Sequence, residues 1–233
     1  MPLGDLVYGD ASAQDFASCY QPSWGRHFGR TRPVPGNHDY EMPGAAGYFG
    51  YFGAIAGDPG SGYYSYDVGA WHVVALNSGD CDVVACNATS AQVQWLRADL
   101  AAHPRTCTLA VWHHPRFNSG TSHGNRGGMR YFWNALYEYG ADVILNAHEH
   151  VYERFGPQDP SAAPDPARGI RQFTVGTGGA SPSSFADVAQ PNSEVRIAGI
   201  YGVLRLDLRA TSYHWEFVGT DGAVRDAGEQ GCH

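Results

Sequence analysis

The amino-acid sequence predicts an α/β fold, and three observations support this prediction. Two short apolar runs, at 107–112 and 141–146, alternate with segments of helical periodicity. Both runs end in histidines, as expected where parallel strands of an α/β sheet bring ligand-binding side chains to their carboxyl ends. The last third of the chain alternates apolar and polar residues between turn signals, which predicts β-strands alone.

The first predicted elements are a hairpin and two helices. Segments 63–68 and 71–77 are rich in β-branched and aromatic residues and are separated by Gly69 and Ala70, which predicts a β-hairpin. A helix then begins after Thr89 or Ser90 as the cap and ends before Pro104. The spacing at 129–139 predicts a second helix, closed by Gly140. Segment 158–168 is rich in Pro, Ala and Asp and reads as a surface loop, and further strands are predicted at 171–177, 201–208 and 213–218.

Composition limits the class of protein. The chain has 233 residues, with 15 basic and 23 acidic residues and a formal net charge of −8. A surface of this sign repels a nucleic acid backbone, so we expect no nucleic acid partner. No segment approaches the ~20 consecutive apolar residues of a membrane-spanning helix, so we expect no membrane partner either. We predict a single domain over 1–233, with the polar motifs before residue 155 and a β-rich part at 156–233.

The five cysteines form no CxxC pair, which argues against a structural zinc ribbon. Cys81 and Cys86 enclose a short loop and could form a disulfide, which would indicate an oxidising compartment. Buried free thiols are an equally good interpretation of the pattern.

Carboxylate, amide and imidazole side chains follow apolar runs or glycine loops at four places along the chain. Asp can bridge two metal ions, Asn supplies a neutral oxygen, and imidazole suits Zn, Fe, Mn or Ni. Two such ions ~3.5–4 Å apart would hold a hydroxide nucleophile and neutralise a phosphoryl group. The four places are Gly4-Asp5-Leu6-Val7-Tyr8, Gly36-Asn37-His38-Asp39, His113-His114-Pro115 and Ala147-His148-Glu149-His150.

In this order the four motifs resemble those of the calcineurin-like metallophosphoesterase family, and within it the purple acid phosphatase branch. The family pattern is GDxxY, GNH[DE], HxP and GHxH, and this chain departs from it in having Ala147 for the last Gly. The resemblance covers nearly the whole chain from residue 4. It implies a metallo-dependent phosphatase fold, an αββα sandwich of two mixed sheets flanked by helices, lacking its first strand.

The resemblance also implies two divalent or trivalent metal ions, drawn from Fe, Zn and Mn. Asp5 would bridge them, and Asn37, His113 and His148 would complete the second site. His150 and Tyr8 would bind the first metal. For Tyr8 the alternative is an aromatic ring that packs under the site.

Two catalytic residues are implied beside the metal ligands. His38 would protonate the leaving oxygen or stabilise the transferring phosphoryl group, and Asp39 would orient His38, or else only cap a turn. His114, His123 and Arg116 are further candidates for binding substrate, as is Arg126, although each of them is more often a surface residue.

The family's first motif, whose Asp binds the first metal, has no counterpart before Asp5. We therefore expect a weak or empty first site beside a complete second one. We also expect the natural protein to carry a signal peptide and the first strand before Met1, and to be secreted or periplasmic.

The predicted function is hydrolysis of small phosphomonoesters by a metal-bound hydroxide at a binuclear site, assisted by His38. The alternatives are a phosphodiesterase of the same family and a catalytically impaired phosphate- or metal-binding domain. A β-rich interaction module whose histidines only pack is a third interpretation, which four motifs in family order disfavour.

Overall fold

A computed structural model describes residues 1–233. The strands are Tyr64–Val68 (β1), Trp71–Ala75 (β2), Cys107–Val111 (β3), Val143–Asn146 (β4), Tyr152–Phe155 (β5), Arg171–Val175 (β6), Ser193–Ile197 (β7), Gly202–Leu208 (β8), Ser212–Gly219 (β9) and Val224–Gly231 (β10).

The centre of the fold is a mixed sheet of seven strands in the order β1-β2-β3-β4-β6-β5-β7. Strands β2, β3, β4 and β6 pair in parallel, and the outer strands pair antiparallel. A second sheet, β10-β9-β8, is antiparallel throughout.

The four α-helices are Ala13–Asp15 (α1), Ala46–Phe52 (α2), Ala91–Ala102 (α3) and Arg130–Glu138 (α4). The side chain of Ser90 accepts the N–H of Val93 and so caps α3. Helix α1 continues into a π-helical turn, Phe16–Tyr20. Short 3₁₀ turns lie at Trp24–Arg30, His38–Tyr40, Pro43–Ala45, Gly53–Ala56 and Gly127–Met129.

Two apolar cores join the layers of the sandwich. The larger core packs α3 and α4 against the seven-stranded sheet, with Leu96, Trp112 and Phe132 in one cluster. A second core contains Trp71 and Phe173 of that sheet together with Trp215 of the smaller sheet. The predicted α/β sandwich is confirmed, and it differs from the expected pair of mixed sheets in that the smaller sheet has no parallel strand.

The hairpin and both predicted helices are confirmed within a few residues of their predicted bounds. Strands β5, β7 and β10 were not predicted. The sequences of β5 and β10 are interrupted by charged residues or glycine, and these strands are specified by pairing with neighbours rather than by their own pattern. The aromatic cluster of segment 13–56, which includes Phe16, Tyr48 and Phe52, also has no simple periodicity in the sequence.

A cavity of about 860 Å³ lies beside the amino-terminal segment. Val73, Leu109 and Leu145 of the large sheet line it together with Leu204 and Leu206 of β8. Its polar end contains Asp5, Tyr8, His113, His148 and His150. The pairing of the amino-terminal segment is limited to one parallel bridge, between Leu3 and Val34.

Two disulfides crosslink the chain. The first joins Cys81 to Cys86, which decides between the two interpretations that the sequence left open. The second joins Cys107 at the start of β3 to Cys232, 125 positions later, and was not predicted. Cys19 is free and exposed. None of the helices combines the length and the apolar character needed to cross a membrane.

Candidate metal centre

The four sequence motifs meet at one edge of the large sheet. His113 lies two residues after the end of β3, and His148 and His150 lie just after β4. Because β3 and β4 are parallel neighbours, their carboxyl ends deliver these histidines to the same place. The loops that contain Asp5 and Asn37 follow the Leu3–Val34 bridge and reach the same edge.

Close backbone approach shapes the Asp5 loop. A Cβ added to Gly4 would lie 2.4 Å from the His113 ring, and one added to Gly36 would lie 2.1 Å from the Asp5 carboxylate. Asp5 and His148 themselves have left-handed backbones, with φ of 54° and 64°. Non-glycine residues adopt this conformation at an energetic cost, and such strain concentrates at functional sites.

His113 is the centre of the site's polar contacts. Its Nδ1 lies 2.8 Å from the carbonyl oxygen of Leu3, which can only accept, so Nδ1 carries the proton. The opposite nitrogen, Nε2, lies 3.1 Å from the Asp5 carboxylate and 3.1 Å from Nδ1 of His148. In neutral His113 this nitrogen carries a lone pair that faces the Asp5 carboxylate. Only a proton or a metal ion between the nitrogen and the carboxylate makes the arrangement favourable.

His150 shows the same pattern. Its Nδ1 donates to the carbonyl of Ser181 at 2.9 Å, so Nε2 is the free nitrogen, and it lies 3.3 Å from the Tyr8 hydroxyl. A metal-binding histidine commonly gives its second N–H to a backbone carbonyl in this way. Tyr8 is 43% exposed and its ring lies 4.6 Å from that of His38, so it flanks the site and does not pack beneath it.

The surroundings of Asn37 indicate whether these residues fit a metal ion. Its side-chain oxygen Oδ1 is buried and has no hydrogen-bond partner. The next residue, His38, donates its backbone N–H to Asp5 at 2.9 Å, which holds Asn37 beside that carboxylate. An unpartnered buried oxygen is costly, and a cation would satisfy it. The donor set fits a metal ion.

The pKa values agree with a site that favours cations. Burial by itself would raise the pKa of Asp5, but the His113 imidazole and the His38 N–H lower this pKa to about 2. Burial and the neighbouring His113 lower the pKa of His148, which keeps its imidazole neutral. Burial and then the Asp5 and Asp39 carboxylates raise the pKa of the Tyr8 hydroxyl, so its ionisation requires a bound cation.

The expected contact between Asp39 and the His38 ring is wrong. Asp39 is fully buried, and its carboxylate accepts the backbone N–H groups of Asp5, Leu6 and Gly36 at 2.9, 3.3 and 2.8 Å. Successive side chains in the 3₁₀ turn His38–Tyr40 point in different directions, so Asp39 faces inward while His38 is partly exposed beside Tyr8. The carboxylate beside the His38 ring is that of Glu41, at 3.9 Å.

The structure brings His114 and His123 to the cluster. Their ring centroids each lie 4.1 Å from that of His148. His114, His113 and His148 can direct one nitrogen each toward a common point. Burial, followed by the charges of His113 and Arg126, lowers the pKa of His114 to about 2, so it is neutral.

Arg116 is not brought to the cluster. Its guanidinium lies over the Phe117 ring at 5.0 Å, and its neighbouring charges are Arg130 and Asp159. Arg126 takes the place beside the histidines, with Nη2 3.5 Å from Nε2 of His148. Both arginines follow the same motif, and the sequence alone does not show which of them turns toward the site.

Glu149 is the residue that sequence reasoning missed. It is fully buried and accepts hydrogen bonds from Asn118, Ser122 and His123. A charged residue between two histidines at the end of an apolar strand was the available signal, because an ionised side chain is buried there only with partners.

Comparison with known proteins identifies the family. The model of the calcineurin-like phosphoesterase family matches residues 1–152. The chain belongs to this family. Among curated proteins this calcineurin-like phosphoesterase is similar to purple acid phosphatase 23 of Arabidopsis thaliana, at 34% identity over 185 residues, which covers 69% of this chain and 38% of the relative.

Two other curated relatives are also named as acid phosphatases. Purple acid phosphatase 15 of Arabidopsis thaliana is 30% identical over 189 residues, 65% of this chain and 35% of its own length. Human acid phosphatase type 7 is 29% identical over 222 residues, 80% of this chain and 49% of its own length. The chain thus spans about a third to a half of the length of these curated relatives.

A solved structure agrees on the fold. The purple acid phosphatase PPD1 from yellow lupin superposes with a TM-score of 0.70 at 19% identity, covering 80% of this chain and 35% of that one. At this identity the likeness shows the fold alone. The calcineurin-like phosphoesterase chain therefore has a metallophosphatase fold of the kind seen in purple acid phosphatases.

Proposed function

We propose that this chain is a metal-dependent phosphatase that hydrolyses small phosphomonoesters. The observation that carries the proposal is the tautomer of His113, whose proton is held on Nδ1 by the Leu3 carbonyl while Nε2 faces the Asp5 carboxylate. This pairing is favourable only with a proton or a metal ion between the two groups, and the metal ion is the occupant that we propose. The family match and the similarity to purple acid phosphatases support phosphoester hydrolysis as the reaction at this site.

We propose a binuclear centre with unequal sites. Asp5 would contribute to both sites. Asn37, His113 and His148 would be the remaining donors of one site, and Tyr8 and His150 would be those of the other; the unpartnered Asn37 oxygen and the His113–His148 and Tyr8–His150 contacts support this division. When bound, a pair of Fe, Zn or Mn ions would activate water as a nucleophile and neutralise charge on the phosphoryl group. Three protein donors bind an ion less tightly than four, so the site of Tyr8 and His150 would fill last.

The protein's own groups would bind and orient the ester around that centre. His38, partly exposed and flanked by Glu41 and Tyr8, would give a proton to the leaving oxygen. Arg126 and His123, on the open side of His148, would bind the phosphate oxygens. Asp39 acts through the backbone of the Asp5 loop and does not touch the substrate.

The test is hydrolysis of an aryl phosphate by protein loaded with Zn²⁺, Mn²⁺ or iron, together with elemental analysis of the metal. We expect up to two ions per chain, activity that a chelator removes, and a loss of about 100-fold or more in His113→Ala. His214→Ala, a variant in β9 outside the cluster, is the matched control and should retain activity. Loaded protein without turnover would contradict the enzyme proposal.

A second candidate follows from the unequal donor sets. With only the four-donor site filled, the chain would bind phosphate or metal without hydrolysing esters. One ion per chain, with phosphate binding and no turnover, would identify this outcome. Hydrolysis of an aryl phosphodiester at a higher rate than the monoester would instead identify a phosphodiesterase.

We also propose that the protein works in a secreted or periplasmic compartment. The Cys81–Cys86 and Cys107–Cys232 disulfides support this, because disulfides persist in oxidising environments. Cell fractionation with thiol labelling tests it, and reduced cysteines in protein isolated from the cytosol would contradict it.

A further inference from the structure

The loop formed by residues 118–126 lies on the solvent-facing side of His148 in the candidate metal centre. It places the His123 ring 4.1 Å from the His148 ring and 5.8 Å from the His150 ring. The same loop places the guanidinium of Arg126 3.5 Å from His148. A guanidinium and an imidazole therefore face the histidines from one short loop.

The carboxylate of Glu149 lies under this loop. It accepts the side-chain amide of Asn118 at 2.9 Å, the backbone N–H of His123 at 2.9 Å and that of Ser122 at 3.3 Å. The His123 ring nitrogen Nδ1 is 3.5 Å away. A buried carboxylate with several N–H donors forms strong charge-assisted hydrogen bonds, so these contacts fix the tip of the loop.

The absence of a side chain at Gly120 leaves room for the Glu149 carboxylate. A Cβ added to Gly120 would lie 2.2 Å from the carboxyl carbon of Glu149, so a larger residue at that position would displace it. The flanking residues of Glu149, His148 and His150, point into the site while Glu149 is fully buried. One tripeptide thus contacts both the metal centre and the loop above it.

Resting on the proposed phosphatase function, we propose that Glu149 is a positioning residue that holds the 118–126 loop with His123 and Arg126 facing the substrate phosphate. Glu149 does not touch the substrate. It acts through the loop, and it fixes the loop relative to the same two histidines that hold the metal ions.

The test uses Glu149→Gln, which preserves the side-chain volume but turns one acceptor into an N–H₂ group facing N–H donors. The matched control is Glu153→Gln. Glu153 is equally buried, and its carboxylate binds Ser119 and Ser193 at the base of the loop. Both variants lose a buried charge, but only the first alters the contacts of Ser122 and His123.

Two readouts separate this inference from the proposed function. Amide hydrogen exchange at Ser122 and His123 should accelerate at least about tenfold in Glu149→Gln and not in Glu153→Gln, with or without enzymatic activity. In active protein, Glu149→Gln should raise KM for phenyl phosphate about tenfold, with kcat within about twofold and metal content unchanged.

Unchanged exchange at Ser122 and His123 in Glu149→Gln would overturn the inference, whether or not the wild-type chain is active. An active variant with accelerated exchange and an unchanged KM would also overturn it, because the loop would then be held without consequence for substrate. Absence of turnover in the wild type would count against the phosphatase proposal, and the exchange experiment would still decide whether Glu149 holds the loop.

Discussion

The buried carboxylate of Asp39 accepts the backbone N–H of Asp5 at 2.9 Å, and it accepts that of Gly36 with the same oxygen at 2.8 Å. One side chain therefore ties together the two loops that supply Asp5 and Asn37. The spacing between these two candidate metal ligands is set by a residue that holds only backbone atoms.

Asp39→Asn tests this connection. Asn keeps one acceptor oxygen but presents an N–H₂ group to a backbone donor, so the variant should lose about 1–3 kcal/mol in the free energy of unfolding and bind metal more weakly. Urea unfolding and metal titration measure the two effects. Asp159→Asn, which alters backbone hydrogen bonds in a surface loop far along the chain, should leave metal binding unchanged. Wild-type metal affinity in Asp39→Asn would contradict the role assigned to Asp39.

Arg126 is expected to matter for substrate binding because its guanidinium lies 3.5 Å from His148 on the open side of the site. Loss of a charge-assisted hydrogen bond costs roughly 1.5–3 kcal/mol, so Arg126→Ala should raise KM for a phosphomonoester about 10–100-fold. Steady-state kinetics measures it. Arg130→Ala, four residues away on the first turn of α4, is the control. Equal KM values for the two variants would refute the assignment.

A buried histidine outside the metal centre should make stability depend on pH. His72 on β2 lies 2.9 Å from Asp67 and 2.8 Å from Asp99. Burial would lower the pKa of His72, but its hydrogen bonds to Asp99 and Asp67 raise this pKa above its ordinary value. The same contacts with His72 lower the pKa of Asp99 despite burial.

The directions of the His72 and Asp99 pKa shifts define the pH range in which this contact stabilises the fold. The His72 contribution is complete below its unfolded pKa of about 6.5 and is lost as pH rises through the higher folded pKa. The Asp99 contribution is complete above about pH 4 and is lost as pH falls through its lowered pKa. His72→Gln should therefore lower the free energy of unfolding most, by about 2–4 kcal/mol, between about pH 4 and 6.5, and by less at pH 9.

Denaturant unfolding at several pH values measures the cost of His72→Gln. His214→Gln in β9 is the control, because its ring is partly exposed and lies 3.7 Å from Asp207. A cost of His72→Gln that is constant from pH 5 to pH 9 would show that the charge of His72 has no part in it.

The two disulfides should differ in their effect on stability. In the chain-entropy model a crosslink stabilises by restricting the unfolded chain, and the effect grows with the loop it closes. The separation is 125 for Cys107–Cys232 and 5 for Cys81–Cys86. Replacing both cysteines by Ala should cost about 5 kcal/mol for the long loop and about 2 kcal/mol for the short one. Urea unfolding of the two double variants compares them, and a larger loss for the short loop would exclude the entropic explanation.

Local sequence patterns predicted the elements whose pattern is strong. The hairpin β1–β2 and the capped helix α3 have clear periodicity and clear ends, and the histidines after β3 and β4 follow from the geometry of parallel strands. Strand β10 was missed because its Gly228 and its charged residues give no such pattern, and pairing with β9 specifies it.

The side-chain contacts of the site were harder to predict. Asp39 is adjacent to His38 in sequence, yet its carboxylate bonds the backbone 33 and 34 positions earlier. The orientation of Arg126 depends on how the loop after His113 folds, and Glu149 accepts the His123 N–H of that loop. Long-range contacts of this kind leave no local pattern in the sequence.

The Cys107–Cys232 bond also determines how the molecule responds to mechanical force. If the two ends are pulled apart, force passes from β3 through the sulfur atoms to the carboxyl end, and everything between the two cysteines is shielded. The 106 residues before Cys107 can then extend, which at ~3.6 Å per residue is roughly 38 nm. Reduction under load would release roughly 45 nm more from the 125-position loop. The histidines of the candidate metal centre lie inside the shielded segment, whereas Asp5 and Asn37 lie outside it. Tension would therefore separate these two halves of the candidate site before it unfolds the segment between the two cysteines.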